Sequence, residues 1–562
     1  MATLYVTKAG NDSTGNGTVG TPYLTVNKAI TVCSAGDSIS VGAGTYQETS
    51  GSGYLLLNRS FTPAVTIFSA TGVNTDVVIQ SASGTVAEVL CSGTGYTFQN
   101  ISFTSRANTV PIVFRINSTT TNLVFTNCIF TVASSGIATN SCVSTSFGTG
   151  TTNGPFTFTD CIFTSTGTND ADAVTFSNPG SSTTINSLTF TRCSASCYRR
   201  GLNLAGVTNI MIDSCNIQCV SPTNSLHALI FGVDGPQSGT TYACSGTVKN
   251  STFATLNGHA AVIGAGVTSA TVQGNRFIGG NSLTSGQGLV IKEATNAVVT
   301  DNLVYGGYFS GLYVKGAQSP TVRRNTVINL YSTSACVRVE KNITDPGALF
   351  SNSIFTDNYV VAQIGQMFSF NSIGSGENGS GSYYDRNIYD LRGTATWGNI
   401  RGTTVSSFSG VQSAWSSYAS GTNEANSIVG SGAAAFTYRH TSTVGLFPAS
   451  PFAGPCIYSI IYDLKGNVWN GTSFVIYVLA NHHQYVNWLI EATPGSYRFI
   501  TKVPLGLPAG DYIVETLSTT SLLATSADTK LGSEVFSWDG ISRFSNQYLG
   551  VRAAQIKNNL LI

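Results

Sequence analysis

The chain has 562 residues, of which 42% are hydrophobic and 9% charged, and its formal net charge is +1 at pH 7. So weak a net charge excludes the long-range field that nucleic-acid or acidic-membrane binding relies on, and no run of about 18 or more apolar residues offers a membrane span. The 60 Gly stand beside 29 Phe and 24 Tyr, a composition of filled interior broken by many turns rather than of disorder.

Residues 1–8 carry neither the basic nor the apolar region of a secretion signal. The spacing then predicts a strand at Leu4–Val6, a Gly/Asn/Thr loop, and a helix within Tyr23–Val32. Two short segments follow, one carrying Gly36, Asp37, Ile39 and Val41, the other Gly44, Thr45, Tyr46 and Glu48. From about Tyr54 to Leu391 short strands alternate apolar and polar residues, as at Val65–Phe68, Leu123–Phe125 and Phe156–Phe158.

Within Asp172–Lys341 one pattern returns seven times: Asp172–Phe176, Arg200–Leu204, His227–Phe231, His259–Ile263, Gln287–Ile291, Ser310–Val314 and Ala335–Val339. Each copy has apolar residues at its third and fifth positions. A second strand follows and ends near Asn250, Asn275, Asn302, Asn325 or Asn358. Such a period of short strands and tight turns marks a β-solenoid, whose coils bury their apolar residues only by stacking. A solenoid also escapes the size limit of a single compact core, because its interior grows linearly. About twelve rungs spaced roughly 4.8 Å apart predict a core on the order of 55 to 60 Å long, and the Asn columns predict ladders of hydrogen bonds along it.

After Pro455 longer strands at Ile457–Tyr462, Ser473–Val478, Tyr497–Ile500 and Tyr512–Glu515 fit a small antiparallel β-sandwich. His482 and His483 fall in a loop there and read as surface residues.

The order of the first 48 residues resembles the start of proteins of the pectin-lyase-like right-handed parallel β-helix superfamily. In those a short amphipathic helix plugs the open end of the coil, and a G-D-x-I-x-V-x-x-G-T-Y-x-E segment makes the first rung. Trp415–Tyr418, Asn426–Val429 and Ala449–Gly454 resemble the segment that closes many such solenoids, so the two ends bracket about 450 residues. Asp463–Gly471 and Trp538–Gly540 look like parts of an accessory domain of phage and other virion proteins. The fold class is therefore all-β: a right-handed parallel β-helix with an N-terminal capping helix, then a small antiparallel β-sandwich. The expected domains are 1–50 (cap and first rung), 51–455 (β-helix and closing segment) and 456–562 (sandwich).

The cysteines follow the rungs. Cys128, Cys161, Cys193 and Cys215 each end a second strand and should stack in one column, with Cys197 and Cys219 in another. Residues four apart on a strand are about 13 Å apart, too far for two ligands of one zinc. Buried free thiols acting as small apolar residues are the expectation.

Stacking also aligns the chemistry. The first position of the repeat collects Asp172, Arg200, His227 and His259, with Asp170 beside it. The sixth collects Lys292, Lys315 and Glu340, and the fourth includes Asn203, Tyr313 and Arg338. The first column is the candidate catalytic set (Asp172, Arg200, His227, His259). Asp170, Asn203, Lys292, Tyr313, Lys315, Arg338 and Glu340 are the candidate substrate contacts.

Hydrolysis would need two carboxylates flanking a scissile bond, and Asp170, Asp172 and Glu340 make no clear pair. β-Elimination next to an uronate carboxylate would use Arg, His, Lys or Tyr as base, with cations holding the enolate. Against the active members of the superfamily, the chain lacks the Asp-Asp pair with Gly-His-Gly and Arg-x-Lys of polygalacturonase-like hydrolases. It also lacks the acidic calcium cluster of pectate lyases. No metal or cofactor is expected. The fourth-position residues Ile230, Val262 and Val290 read as an outward apolar row suited to a subunit interface.

The primary expectation is a virion or cell-surface fibre or spike that recognises a surface glycan or polysaccharide and displays the rod. It would form a homo-oligomer, with a trimer favoured, or meet other virion proteins, and bind no nucleic acid. A polysaccharide lyase or glycoside hydrolase is the alternative. The expected location is extracellular or on a virion surface, reached by cytoplasmic assembly and release by lysis or, equally well, by a form whose leader has been removed.

Overall fold

A computed structural model describes residues 1–48, 53–82, 87–105, 112–117, 119–133, 140–146, 152–166, 171–176, 184–221, 226–234, 243–280, 286–305, 307, 309–329, 335–340, 352–356, 358–362, 365–371, 382–391, 394–400, 403–416, 424–425, 427–429, 436–439, 456–488, 490–491, 498–501, 507–519 and 526–538. Three sheets wind round one core. The first runs from Thr3–Val6 to Tyr383–Asp385, the second from Gly44–Glu48 to Ile428–Val429, and the third from Leu55–Leu57 to Thr403–Val405. Neighbouring strands are parallel throughout, save the closing pair Thr396–Ile400 and Thr403–Val405. No helix among the described residues is long and apolar enough to cross a membrane.

Identical residues stack because the register is kept from rung to rung. Phe98, Phe125, Phe158 and Phe190 pair in series, their rings stacked with centroids 5.2, 4.9 and 5.0 Å apart, which is the strand spacing itself. Between the first and second sheets a single residue in the left-handed region turns the chain: Asn127, Asp160, Arg192, Ser214, Asn250 and Gly274 have φ of 51° to 66°.

The residue after each turn points inward, and this column changes identity along the rod. It is Cys128, Cys161, Cys193 and Cys215, then Ser251, then Asn275, Asn302, Asn325, Asn358 and Asn387. Cys161 Sγ donates to Phe125 O of the preceding rung (3.6 Å) and Cys193 Sγ to Phe158 O (3.4 Å). Asn302 Nδ2 does the same toward Val272 O (2.9 Å) and also donates to Asn325 Oδ1 (2.9 Å), which accepts the Asn302 N–H as well (3.0 Å). The expected ladder of Asn275, Asn302, Asn325 and Asn358 is thus present, and it continues to Asn387. The cysteines from Cys33 to Cys336 are buried free thiols, and burial pushes Cys91, for example, up to about 12.

Helix α1 is Val26–Val32, shorter than its helical spacing, because Tyr23 bridges to Val6 and Thr25 caps the helix by accepting from Lys28 N–H. Both ends are held by the coils. The buried Glu48 carboxylate accepts from Val26 N–H (2.8 Å) and Asn27 N–H (2.9 Å), and Arg59 Nη1 donates to Ile30 O, Thr31 O and Cys33 O. At the far end α2, Phe408–Ser416, presents Trp415 to Tyr384 (4.2 Å, stacked) and Phe370 (4.5 Å). This second helix was not expected from sequence, although Phe408, Val411 and Trp415 carry helical spacing.

Phe436–Arg439, assigned by sequence to the closing segment, pairs antiparallel with Arg498–Thr501. Its Phe-Thr-Tyr-Arg alternation looks like one more rung, and only its partner decides otherwise. A second antiparallel sheet is built on Cys456–Asp463, Gly510–Thr519 and Thr529–Trp538. His482 is buried rather than on the surface, its Nε2 2.9 Å from Tyr458 Oη and its Nδ1 2.6 Å from Tyr477 Oη. Burial holds its pKa below the usual value.

Burial pushes the Glu48 carboxyl up from 4.5 to about 7, against the pull of the two helix N–H groups. A carboxyl raised in the folded state contributes stability that is complete below its unfolded pKa and is lost as pH rises through about 7. Glu48→Gln should therefore flatten the fall in unfolding free energy between about pH 5 and pH 8, measured by chemical denaturation. Glu48→Ala, which leaves two helix N–H groups without an acceptor, should cost about 2–4 kcal/mol.

Candidate functional site

The outer face of the third sheet carries the charged columns. Strict alternation would put the first, third and fifth positions of the repeat on one side, and thus the first column inside the core. The structure departs from alternation at the second position. Ala173, Ala228, Ala260 and Cys336 lie in the core, and a Cβ on Gly201 or Gly311 would strike the core side chains of Ile217 or Val327. The ladder accordingly pairs first with first and third with third positions but skips the second. Small residues at this corner let two successive positions face inward, which turns the first position out.

The register then runs Asp172↔Arg200↔His227↔His259. The sixth positions run Lys292↔Lys315↔Glu340, and the fourth pass from Asn203 through Ile230, Val262 and Val290 to Tyr313 and Arg338. All the sequence candidates except Asp170, which lies outside the described residues, are on this face.

Their states differ. Asp172 is 2% exposed and gripped bidentately by Arg199, Nε to Oδ1 and Nη2 to Oδ2 at 2.9 Å each. It also accepts from Thr175 Oγ1 (3.0 Å). Arg200 Nη1 stands 3.9 Å away, a loose contact, with its side chain 29% exposed. Asp172, placed by sequence among the reacting groups, is thus saturated by a residue the repeat alignment passed over. The tandem Arg199-Arg200 was the available signal.

His227 Nε2 lies 2.9 Å from Asp234 Oδ2, and Lys292 Nζ lies 3.1 Å from Asp234 Oδ1. His227 begins its strand and Lys292 ends a strand two rungs on. Five residues at about 3.3 Å and two rungs at about 4.8 Å separate their backbones by roughly 19 Å, so both side chains must lean across the fourth position to meet one carboxylate. Asp234 therefore links the first-position His227 to the sixth-position Lys292 across this face. Ile230, Val262 and Val290 are 5%, 0% and 3% exposed within the chain itself, which corrects the expectation of an open interface strip. Burial alone would raise the Asp234 carboxyl, but His227 and Lys292 outweigh it and hold it well below the usual carboxylate range. Asp234 was missed because it lies three residues beyond its strand, outside any column. The His259 ring meets that of His227 edge to face, centroids 4.9 Å apart.

Farther along, Arg338 lies over the rings of Phe309 (4.8 Å) and Tyr313 (5.1 Å) and pairs with Glu340, which accepts from Tyr313 Oη (2.6 Å). Burial, then Glu340, pushes the Tyr313 hydroxyl up. Lys315 makes no ion pair among the described residues, and Asn203 is nearly enclosed beside Ile230.

Residues 237–388 match the family model described as a right handed beta helix region. The chain folds as a right-handed parallel β-helix. Residues 8–191 match a second family, described as a protein of unknown function, DUF1565. No curated protein matches the sequence. Among solved structures the β-helix is similar to the A-module of an Azotobacter vinelandii mannuronan C-5 epimerase (13% identity, 66% of this chain and 91% of that one, TM-score 0.37). It is also similar to the Dettilon tailspike protein (10%, 92% and 78%, 0.33) and to a pectate lyase (12%, 70% and 77%, 0.27). At such identities and scores these neighbours carry no argument about chemistry.

The geometry separates a structural from an available arginine. Arg199→Ala strands a buried carboxylate and should cost about 3–5 kcal/mol of stability, whereas Arg200→Ala should cost less than about 1 kcal/mol. Denaturation of the two variants side by side checks this.

Proposed function

We propose that this β-helix recognises an acidic glycan on the outer face of its third sheet, as a fibre or spike-type rod at a virion or cell surface. One observation carries the reading. Asp172, Asp234 and Glu340 are each engaged by cations of the protein itself, while Arg200 makes only a loose 3.9 Å contact with the already paired Asp172 and Lys315, beside the already paired Glu340, makes no ion pair among the described residues. A face whose carboxylates are neutralised and whose remaining charge is positive suits uronate or other anionic sugars. An oligomer would need a surface other than Ile230, Val262 and Val290, which their own chain encloses.

A catalytic reading is the alternative, and within it elimination fits better than hydrolysis. Asp172 is saturated and Asp234 is held ionised, so neither serves as the protonated acid that glycoside hydrolysis requires. The adjacent His227 and His259 rings supply nitrogen bases beside cations, the set that proton abstraction next to a carboxylate uses.

Binding of oligouronates and of neutral oligosaccharides, measured by calorimetry at low and high salt, tests the proposal. Acidic chains should bind, more weakly at high salt, and Arg200→Ala and Lys315→Ala should each weaken binding by about tenfold, the loss of one charge-assisted contact. Equal affinity for neutral chains, or none for acidic ones, would overturn it. Growth of unsaturated-uronate absorbance, absent in His259→Gln, would select the lyase instead.

A further inference from the structure

We infer that His227, Asp234 and His259 form a binding site for one first-row divalent transition metal ion of the zinc or cobalt type. One potential ligand atom from each of the three lies within 4.8 Å of the others. A tetrahedral ion with bonds of about 2.1 Å holds its donors roughly 3.4 Å apart, so small side-chain rotations close the set, and His227 Nε2 and Asp234 Oδ2 are already 2.9 Å apart. Two imidazoles and one carboxylate select transition metals over calcium or magnesium, which prefer all-oxygen sites. Three protein ligands leave a further coordination position, the arrangement of sites that bind an exogenous ligand.

A second observation points the same way. His227 is 8% exposed, yet neither of its ring nitrogens makes an aligned hydrogen bond, and its Nε2 meets Asp234 only as a close charge contact. Buried polar atoms are ordinarily satisfied, and an ion between the rings and the carboxylate would satisfy this one. The environment is also built to orient the carboxylate. Lys292 holds Asp234 Oδ1 at 3.1 Å and leaves Oδ2 turned toward His227, the way outer partners fix a metal-binding carboxylate. The apolar floor of Ile230, Val262 and Val290 keeps water from beneath the site. The same lysine opposes the ion by like charge, and this gives the site a signature that a plain His–Asp–Lys network lacks.

The test is a titration of the full chain with cobalt(II), followed by visible absorption and equilibrium dialysis in the absence of any glycan, so that it stands or falls apart from the glycan reading. One cobalt per chain should bind, with the absorption of a nitrogen and oxygen ligand set. His259→Gln and Asp234→Asn, both at positions with solvent exposure, should abolish binding while leaving the circular dichroism unchanged. Lys292→Gln should tighten binding by about tenfold, the factor carried by a unit charge about 6 Å from a divalent ion even at the dielectric constant of water. No stoichiometric uptake by the wild-type chain would overturn the inference. So would uptake that survives His259→Gln and Asp234→Asn, or a thiolate-to-cobalt absorption band, which would assign the metal to the cysteines.

Discussion

One repeated hydrogen bond organises this molecule. In the described coils from Cys128 to Asn387, apart from Cys215 and Ser251, the inward residue of this column donates from inside the core to a carbonyl of the preceding rung. Thiol and amide perform the same task with different strength. The amide adds a second bond to its neighbour's side chain, so the ladder from Asn275 to Asn387 is continuous, whereas the cysteine half relies on stacked Phe rings beside it. Because a one-residue slip would turn every such group to the wrong side, this bond fixes register, and register fixes which side chains become neighbours on the outer face.

A rod of this kind must be closed at both ends, since an open coil exposes its core and unpaired strand edges. Each end is closed by a helix and by a buried carboxylate. Glu48 accepts from the first turn of α1. Glu424 accepts from Tyr389 Oη (2.6 Å), Ser427 Oγ and Asn387 Nδ2 (3.5 Å), ending the Asn ladder where it meets α2. Burial raises both carboxyls to about 7, so each closure gives up part of its stability near neutrality in exchange for satisfying buried donors.

The outer face shows how a modest local departure produces a site. Small residues at the second position bend each strand, and the bend exposes a column that alternation would have buried. Once exposed, the column is sorted by charge: Asp172 is absorbed by Arg199, Glu340 by Arg338, and Asp234 joins His227 with Lys292. Arg200 and Lys315 are the cations this face has left to offer an anionic sugar.

The repeat, the plug helix, the cysteine and Asn columns and the membership of the charged columns were all legible in the sequence, because stacking turns a one-dimensional period directly into spatial neighbours. Glu48 was legible as a motif residue, though not as the acceptor for α1. What lay between the columns was not legible. Arg199 and Asp234 sit in corners and loops that the period does not index, and Ile230, Val262 and Val290 read as exposed because only the tertiary structure shows them enclosed by their own chain. The partner of Phe436–Arg439 was hidden for the same reason, since an isolated alternating strand does not name the strand it pairs with. Sequence alone determined the coil, its register and its columns; tertiary structure decided which charges were spent holding the fold and which remained, because that depends on contacts across loops whose lengths differ from rung to rung.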